Sequence, residues 1–368
     1  MKQLQDLLGH IVAQLLEENG DLDEAGIAQV IGETIPTIIP EASVVLLREL
    51  RRRAPKMLRE HRALDEGFRR RNLIRWRKAL DTLEMMWVIA EESGAAFNDA
   101  HRATAAATKD YQFEALTHLH ARALLVAREV LCLLYGGFPD GALSRWRTLH
   151  EVTAIALFIR AHDGELSHRY LASFHFNALR AAKQLNEFAT RANLKPYSTK
   201  EMAEFGRRCE ALECRFGKEM RNEYGWAATV LNNPKPTFSD IEKAVKLDHW
   251  RPRYKWASQH THGGHRPTGT LLGTTESSNP VFLVGQSNSG FTDPIHMSAI
   301  SLTQLTHALL SLNPNMDQCV VMKILADLSE AIGPLALSLE RRTLARARER
   351  KKKRPRKMGA RSSRKRRR

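Results

Sequence analysis

Two pairs of polar residues have the four-residue spacing that places both side chains on one face of a helix. Arg147 and Glu151 form the first pair, and Ser258 and His262 form the second. The residues around Arg147 are largely apolar, which leaves little of that helix free to face water. A buried arginine–glutamate pair is costly to break, so it indicates a specific structural or functional role. We predict that the four residues lie around one pocket.

The same residues could cleave a phosphodiester without a metal ion. His262 or His150 would act as the general base on a 2′-hydroxyl, and Arg147 would stabilise the charge of the phosphorane. The alternative is a structural network in which these residues only fix the packing of two helices. An open cleft joining Arg147 to His262 would favour catalysis, whereas a sealed Arg147–Glu151 pair would favour the structural role.

A second group of polar residues flanks this region in the sequence. Glu114, His118 and Arg122 recur every four residues and therefore share one helix face. His168 and His175 are seven residues apart on a later helix and could line the same pocket. The ordinary alternatives are surface ion pairs for the first set and hydrogen-bonded core histidines for the second.

Three histidines, His260, His262 and His265, fall within six residues and suggest a metal site. However, His260 and His262 point to different sides of a helix, and His265 follows a glycine turn. Neither an H-E-x-x-H motif nor a paired-cysteine spacing supports zinc. The sequence also lacks G-x-x-x-x-G-K-[ST], G-x-G-x-x-G and G-x-S-x-G, which counts against nucleotide-driven and common hydrolase chemistry. We predict no metal and no cofactor.

The elements that must position these residues are helices almost throughout, so we predict a mainly α fold, a multi-helix bundle. Apolar residues recur at helical spacing over 111–134 and 142–160. Gly136-Gly137 ends the first helix and Pro139-Asp140-Gly141 predicts a tight turn, so the two helices form an antiparallel hairpin. Other helices are predicted over residues 2–18, 63–92, 94–108, 165–191, 199–223, 295–312 and 315–346, with two short ones before about Thr261.

Several residues are predicted to interrupt the helices. Pro36, Pro40 and Pro55 would cut the N-terminal region into short pieces, because proline lacks the amide hydrogen that a helix interior needs. Residues 22–38 resemble the first helices of a helix-turn-helix. Residues 268–293 are rich in Gly, Thr, Ser and Asn around an apolar core at 281–284, which predicts a long loop or a small β-hairpin. The predicted domains are a helical region 1–108, a helical core 109–340 and a mostly disordered basic tail 341–368.

The net charge of +16 is confined to the end of the chain. Residues 341–368 contain 17 of the 57 Lys and Arg and one of the 41 acids, so 40 basic and 40 acidic residues remain elsewhere. This segment can neutralise phosphates but has no aromatic ring to stack on bases, so we predict non-specific binding of DNA or RNA. The residues assigned to this binding are Arg350, Lys351, Lys352, Lys353, Arg354, Arg356, Lys357, Arg364, Lys365 and Arg366.

A second basic stretch, residues 48–78, contains 13 Lys and Arg against four acids. It is either a second contact surface or a solvated helix face. The first 20 residues lack the continuous apolar stretch of a signal peptide, and no window of the sequence is apolar enough to span a membrane. We expect a cytoplasmic protein with no membrane partner.

Three segments resemble an uncharacterised bacterial family, a domain of unknown function that is entirely helical. They are GGFPDGALSRWRTLHEV (136–152), HRYLASFHF (168–176) and YKWASQHTHG (254–263). The resemblance covers residues 110–265, and its R-x-x-x-E and S-x-x-x-H motifs match Arg147, Glu151, Ser258 and His262. The family implies no activity.

A more distant likeness is to the HEPN superfamily of helical bundles, which often cleave RNA with an R-x-x-x-x-H motif. Arg145 and His150 match that motif. Two functions from different classes therefore stay open. The first is a helical regulatory or interaction module that associates with nucleic acid through its basic tail. The alternative is a metal-independent ribonuclease that acts as a toxin or a phage-defence effector.

Overall fold

The computed structural model describes residues 13, 14, 17, 24–277 and 279–353, which fall into two units, within Met1–Phe68 and within Arg69–Arg368. The described residues contain helices, turns and loops but no strand, so the predicted mainly α fold is confirmed. The predicted helix over 2–18 lies almost wholly outside the described residues. The helices are α1 (Glu24–Thr108), α2 (Tyr111–Gly136), α3 (Pro139–Arg160), α4 (Gly164–Ala192), α5 (Thr199–Phe216), α6 (Ala228–Leu231), α7 (Phe238–Ala244), α8 (Arg251–Ser258), α9 (Thr292–Leu310) and α10 (Met316–Lys353).

Helix α1 passes through every residue that was expected to interrupt it. Pro36, Pro40 and Pro55 lie inside the helix, so the predicted short pieces are wrong, and residues 24–38 contain no turn that would support the likeness to a helix-turn-helix. Each proline removes one backbone hydrogen bond, but the many other bonds of so long a helix keep it continuous. The predicted break at Ser93-Gly94 is also wrong. Gly94 is instead the place where α1 approaches the buried side chain of His120 on α2.

Helices α2 and α3 form the predicted hairpin. Asp110 caps the start of α2 by accepting hydrogen bonds from the amides of Gln112 and Phe113 at 3.1 and 2.9 Å. Gly137 ends it in the left-handed conformation at φ 85°, which favours glycine. The predicted tight turn at 139–141 is wrong, because Pro139 occupies the first turn of α3. Proline is well suited to that position, since the amide it lacks would be unpaired there anyway.

The core lies where α9 packs against α2, α3 and α10. Almost every face of α9 is buried, and Trp146 of α3 fixes the contact. The indole nitrogen of Trp146 donates to the Met297 carbonyl at 3.0 Å and to the Ser301 hydroxyl at 3.1 Å. Two polar residues next to Trp146 on α3, Arg147 and His150, contact α8 and α7 respectively.

Residues 268–291 form a long loop with two short 3₁₀ turns, Thr268–Thr270 and Leu272–Thr274, and residue 278 is not described. The Asp140 carboxylate anchors it by accepting from the amides of Leu272 and Gly273 at 2.8 and 2.9 Å. The predicted apolar core at 281–284 is wrong: Phe282 and Val284 are 86% and 92% exposed. Leu283, in contrast, is half-buried and lies against Gly273 at the base of the loop.

Helix α10 continues further than predicted, through Lys353. Residues 341–346 are helical as predicted, residues 347–353 of the predicted tail are also helical, and residues 354–368 lie outside the described part of the chain. Helix α5 is shorter than predicted and ends at Phe216, where Gly217 adopts φ 100°. No helix among the described residues combines the length and the apolar character that a membrane span requires.

Because Gly94 lies against His120, we expect the substitution of Gly94 by alanine to destabilise the protein, although alanine normally stabilises a helix. A β-carbon at Gly94 would lie 2.4 Å from Cε1 of His120, whose ring is buried and 3.2 Å from the Thr306 hydroxyl. Overpacking costs about 1–3 kcal/mol, and the helix propensity of alanine returns up to about 1 kcal/mol. We therefore expect Gly94→Ala to lower the free energy of unfolding by about 1–2 kcal/mol in urea titrations.

Gly206 of α5 provides the matched control, because a β-carbon there meets nothing within 4 Å. Gly206→Ala should leave stability unchanged or raise it by up to about 1 kcal/mol. Equal effects of the two substitutions would contradict the close contact at Gly94.

Candidate functional site

Helix α3 presents Arg147 and Glu151 to the end of α8. The Arg147 Nε donates to the Ser258 hydroxyl at 2.8 Å, and its Nη2 donates to the Tyr254 hydroxyl at 2.6 Å and lies 3.0 Å from Oε1 of Glu151. The Tyr254 hydroxyl donates in turn to Glu151. The structure thus brings together three of the four residues named from the sequence, Arg147, Glu151 and Ser258. Tyr254 completes the cluster.

This cluster holds the guanidinium of Arg147 in one place. The Arg147 and Glu151 side chains are 26% and 24% exposed, and the guanidinium carbon lies 4.6 Å from the centre of the Tyr254 ring. Burial, followed by the hydrogen bond to Glu151, raises the pKa of Tyr254 well above its usual range. The phenol therefore keeps its proton and remains the donor to Glu151. Because Ser258, Tyr254 and Glu151 all bind the guanidinium of Arg147, this group has little freedom to move with a reacting phosphate.

His262 is not part of the cluster. Helix α8 ends at Ser258 rather than at about Thr261, so the prediction that Ser258 and His262 share a helix face is wrong. The Thr261 hydroxyl donates to the Ser258 carbonyl at 2.7 Å and closes a turn there, and Gly263-Gly264 follows. His262 is exposed and makes no hydrogen bond to Arg147, Glu151 or Ser258 within the described residues.

His150 lies on the buried side of α3. Its Nε2 is 2.9 Å from Oε1 of Glu242, a carboxylate with no exposed surface that also binds Arg251. The His150 ring lies 5.2 Å from that of Trp146 and 5.9 Å from that of Tyr254. The buried charge of Glu242 is therefore balanced inside the fold, and His150 is sealed from solvent.

Arg145, the other residue of the R-x-x-x-x-H match, faces a different partner. Its Nη2 lies 2.5 Å from Oε2 of Glu129 on α2, and both side chains are partly exposed. Arg145 and His150 therefore make separate contacts on different sides of α3. The likeness to the HEPN superfamily stays a prediction.

A cavity of about 800 Å³ opens between α2, α3 and α4, on the other side of Glu151. Both polar sets that flank this region in the sequence face it, together with Glu151 and the segment after α5. We call this cavity the cleft; the polar and aromatic residues that line it are Tyr111, Glu114, His118, Arg122, Glu151, His168, Tyr170, Ser173, Phe174, His175, Asn177, Glu223, Tyr224 and Trp226. Ser258 and His262 do not line it.

His168 is the least satisfied polar group of the cleft. Its ring stacks on Tyr111 with centroids 3.8 Å apart, and its Nδ1 is buried without a hydrogen-bond partner. Burial, reinforced by the charge of Arg215, lowers the pKa of His168. The imidazole is therefore neutral near pH 7, with one nitrogen unpaired.

The wall of the cleft beyond α5 is held by a residue that the sequence did not single out. Arg169 is buried, and it donates to the carbonyls of Phe216 and Trp226 at 2.6 and 3.2 Å. It thus fixes the segment that carries Tyr224 and Trp226. Its only sequence signal is a cation among apolar residues of the helix. The sequence did not single out Glu242 either, because its partner His150 is 92 positions away.

The histidines that suggested a metal site are dispersed. His260 lies 3.4 Å from Oδ1 of Asp140, while His262 and His265 are exposed. Within the part of the chain that the structure describes, no group of three or more His, Cys, Asp or Glu is arranged to hold a metal ion.

We expect the hydrogen bonds of the Tyr254 hydroxyl to stabilise the contact between α3 and α8. Tyr254→Phe keeps the ring and removes the hydrogen bonds to Arg147 and Glu151. We expect the free energy of unfolding to fall by about 1–3 kcal/mol in urea titrations, because both partners are charged. Tyr197→Phe is the control, since its hydroxyl makes no hydrogen bond among the described residues, and it should change stability by less than about 0.5 kcal/mol. A Tyr254→Phe protein as stable as the control would contradict the geometry.

Residues 113–279 match the model described as Family of unknown function (DUF5677). No curated protein and no solved structure shows significant similarity to this chain. The matched segment contains Arg147, Glu151 and Ser258 and nearly all residues of the cleft. The resemblance predicted for residues 110–265 is therefore confirmed, and this segment is similar to a family of unknown function.

Proposed function

We propose that the chain is a helical regulatory or interaction module that associates with nucleic acid through its basic C-terminal segment. The observation that carries the proposal is the distribution of charge. Residues 341–368 hold 17 basic residues and one acid, while the other charges balance at 40 and 40. A segment of this charge attracts the phosphate backbone by releasing its counterions, whatever the base sequence.

The course of α10 supports this arrangement. The helix begins at Met316, contacts α9 in the bundle, and reaches Lys353. The assigned positions 350–353 therefore stand at the end of a helix that starts in the core, and Arg354, Arg356, Lys357, Arg364, Lys365 and Arg366 follow them in the sequence. Nucleic acid would meet a concentrated positive charge there.

The contacts of Arg147 and His150 also favour the interaction module over the ribonuclease first considered. Arg147 is occupied by Ser258, Tyr254 and Glu151, and His150 is sealed against Glu242. A general base must reach the proton that it removes, and an arginine that stabilises a phosphorane must reach the phosphate. Neither group is placed for these tasks.

Removing the basic segment tests the proposal. A chain that ends at Arg346 loses 14 of the 17 basic residues of 341–368 and keeps most of α10. We expect its affinity for random-sequence DNA and RNA to fall steeply, together with the slope of log K against log salt, which is about 0.9 per neutralised phosphate of duplex DNA. The circular dichroism of the helices should change little.

Residues 48–78 supply the control. Arg59, Arg62 and Arg69 are exposed, so Arg59→Gln/Arg62→Gln/Arg69→Gln lowers the charge there without disturbing a buried contact. This variant should bind nearly as the intact chain does. If instead it loses binding while the truncated chain keeps its affinity and salt slope, residues 48–78 are the contact surface and the proposal is wrong.

The cleft favours a second candidate function, metal-independent cleavage of RNA at a site different from the one first considered. His168 lines the cavity, and its lowered pKa gives it the neutral state that a general base needs; His118 and Arg122 line the same cavity. A base, a proton donor and a cation are the groups that this reaction needs.

RNA cleavage measured in a metal chelator tests this candidate. His168→Gln should abolish cleavage, whereas His262→Gln should leave it unchanged. Because burial lowers the pKa of His168, the rate should stay constant as the pH falls through the ordinary histidine value near about 6.5 and drop only below it. Loss of cleavage in His262→Gln alone would place the reaction outside the cleft, and no cleavage by the intact chain would rule the candidate out.

A further inference from the structure

A row of side chains runs along the part of α1 that lies in the first unit. It advances in alternating steps of three and four residues, and six of its seven members are apolar. The seam, as we call it, consists of Leu47, Leu50, Ala54, Met57, His61, Leu64 and Phe68. Leu50, Met57 and Leu64 are 56%, 52% and 72% exposed. An alternating three-and-four spacing is the heptad pattern of a coiled coil.

The length of the seam suits a helical partner. From Leu47 to Phe68 the helix rises about 32 Å at about 1.5 Å per residue, which is three heptads. Most proteins do not expose an apolar surface of this length to water. A partner must present the same repeat, so that its side chains fit between those of α1.

We propose that the partner is a second copy of this chain, whose α1 packs antiparallel on the first, seam against seam. The register places Ala54 of one copy opposite Met57 of the other, and Leu47 opposite Leu64. A two-fold axis then passes between residues 55 and 56, so every contact occurs twice.

Charges beside the seam select this orientation. In the antiparallel register Arg53 lies beside Glu60 of the second copy, and Arg51 lies beside Asp65. In the parallel register, Glu60 would lie beside Asp65 of the second copy, and these like charges repel. The antiparallel pairing therefore gives four attractive contacts where the parallel pairing gives two repulsive ones.

Two of these residues also have ion-pair partners within α1: Asp65 lies 3.5 Å from Nδ1 of the seam residue His61, and Arg53 binds Glu49. Glu49 also binds Arg52 through its other oxygen at 2.8 Å. Glu49 therefore remains paired when Arg53 turns to the second copy. Pro55 lies beside Ala54 and outside the seam, where its missing amide hydrogen does not affect the packing of side chains.

The oligomeric state of the full chain tests the proposal by sedimentation equilibrium. We expect a dimer. Either Arg53→Glu or Glu60→Arg alone should weaken it and raise its dissociation constant at least about tenfold. The combined Arg53→Glu/Glu60→Arg chain should regain the dimer, because the charges are exchanged but still opposite. Circular dichroism should be alike in all four proteins, since both positions are exposed.

A monomeric intact chain, single variants that dimerise normally, or a combined variant that stays monomeric would each overturn the proposal. A further variant without residues 1–20 identifies a competing occupant. If the intact chain is a monomer and this deletion makes it a dimer, the N-terminal segment of the same chain covers the seam.

The direction of the helices is tested by disulfide formation. Cys132, Cys214 and Cys319 are exposed and free, so each is first replaced by serine. Leu47→Cys and Leu64→Cys chains are then mixed and oxidised. The antiparallel register predicts a mixed disulfide between positions 47 and 64, and a disulfide between two copies of position 47 would show a parallel pair and overturn the proposal.

Discussion

Helix α3 has almost no face left for water, and this constraint decides how the site is built. A polar side chain buried without a partner costs about 1–3 kcal/mol, so each one on α3 must find a partner inside the fold. Thr153 donates to the Leu149 carbonyl at 2.8 Å, and Arg160 donates to the Ser311 carbonyl at 2.9 Å. His150 finds Glu242, and Arg147 finds Tyr254 and Ser258. Helices α7 and α8 are thereby positioned by the polar residues of α3.

The same constraint separates the residues that build the fold from those that can meet a ligand. The carboxylate of Glu242 and the guanidinium of Arg169 are bound by partners inside the fold. They hold in place short segments that have few apolar residues of their own. Glu114, His118 and Arg122 stand on the exposed side of α2 and line the cleft instead. The exposed polar side chains of this region therefore meet solvent in the cleft, and Glu151 is the residue of the α3–α8 cluster that lines it.

Features set by neighbours in the sequence could be predicted, and features set across the fold could not. The α2–α3 hairpin was predictable because Gly136-Gly137 ends α2 at its own position, although Pro139 begins α3 rather than forming a turn. The predicted helix break at Ser93-Gly94 was wrong because Gly94 lies inside the helix against the side chain of His120, 26 residues away. The pairing of Arg147 with Glu151 follows from their spacing, whereas that of His150 with Glu242 joins residues 92 positions apart. His262 was misplaced because α8 ends at Ser258, and the four-residue rule applies only within a helix.

Glu151 belongs to both the cleft and the α3–α8 cluster, and this double membership links the two energetically. A ligand that drew the Glu151 carboxylate towards itself would take away the acceptor of the Tyr254 hydroxyl and the counterion of Arg147. The end of α8 would then lose part of what secures it, and so would the glycine-rich segment that follows. By thermodynamic reciprocity, anything that bound this segment and shifted α8 would change the affinity of the cleft by the same factor. Through the Glu151 carboxylate, binding at either of these two surfaces would thus change the affinity of the other.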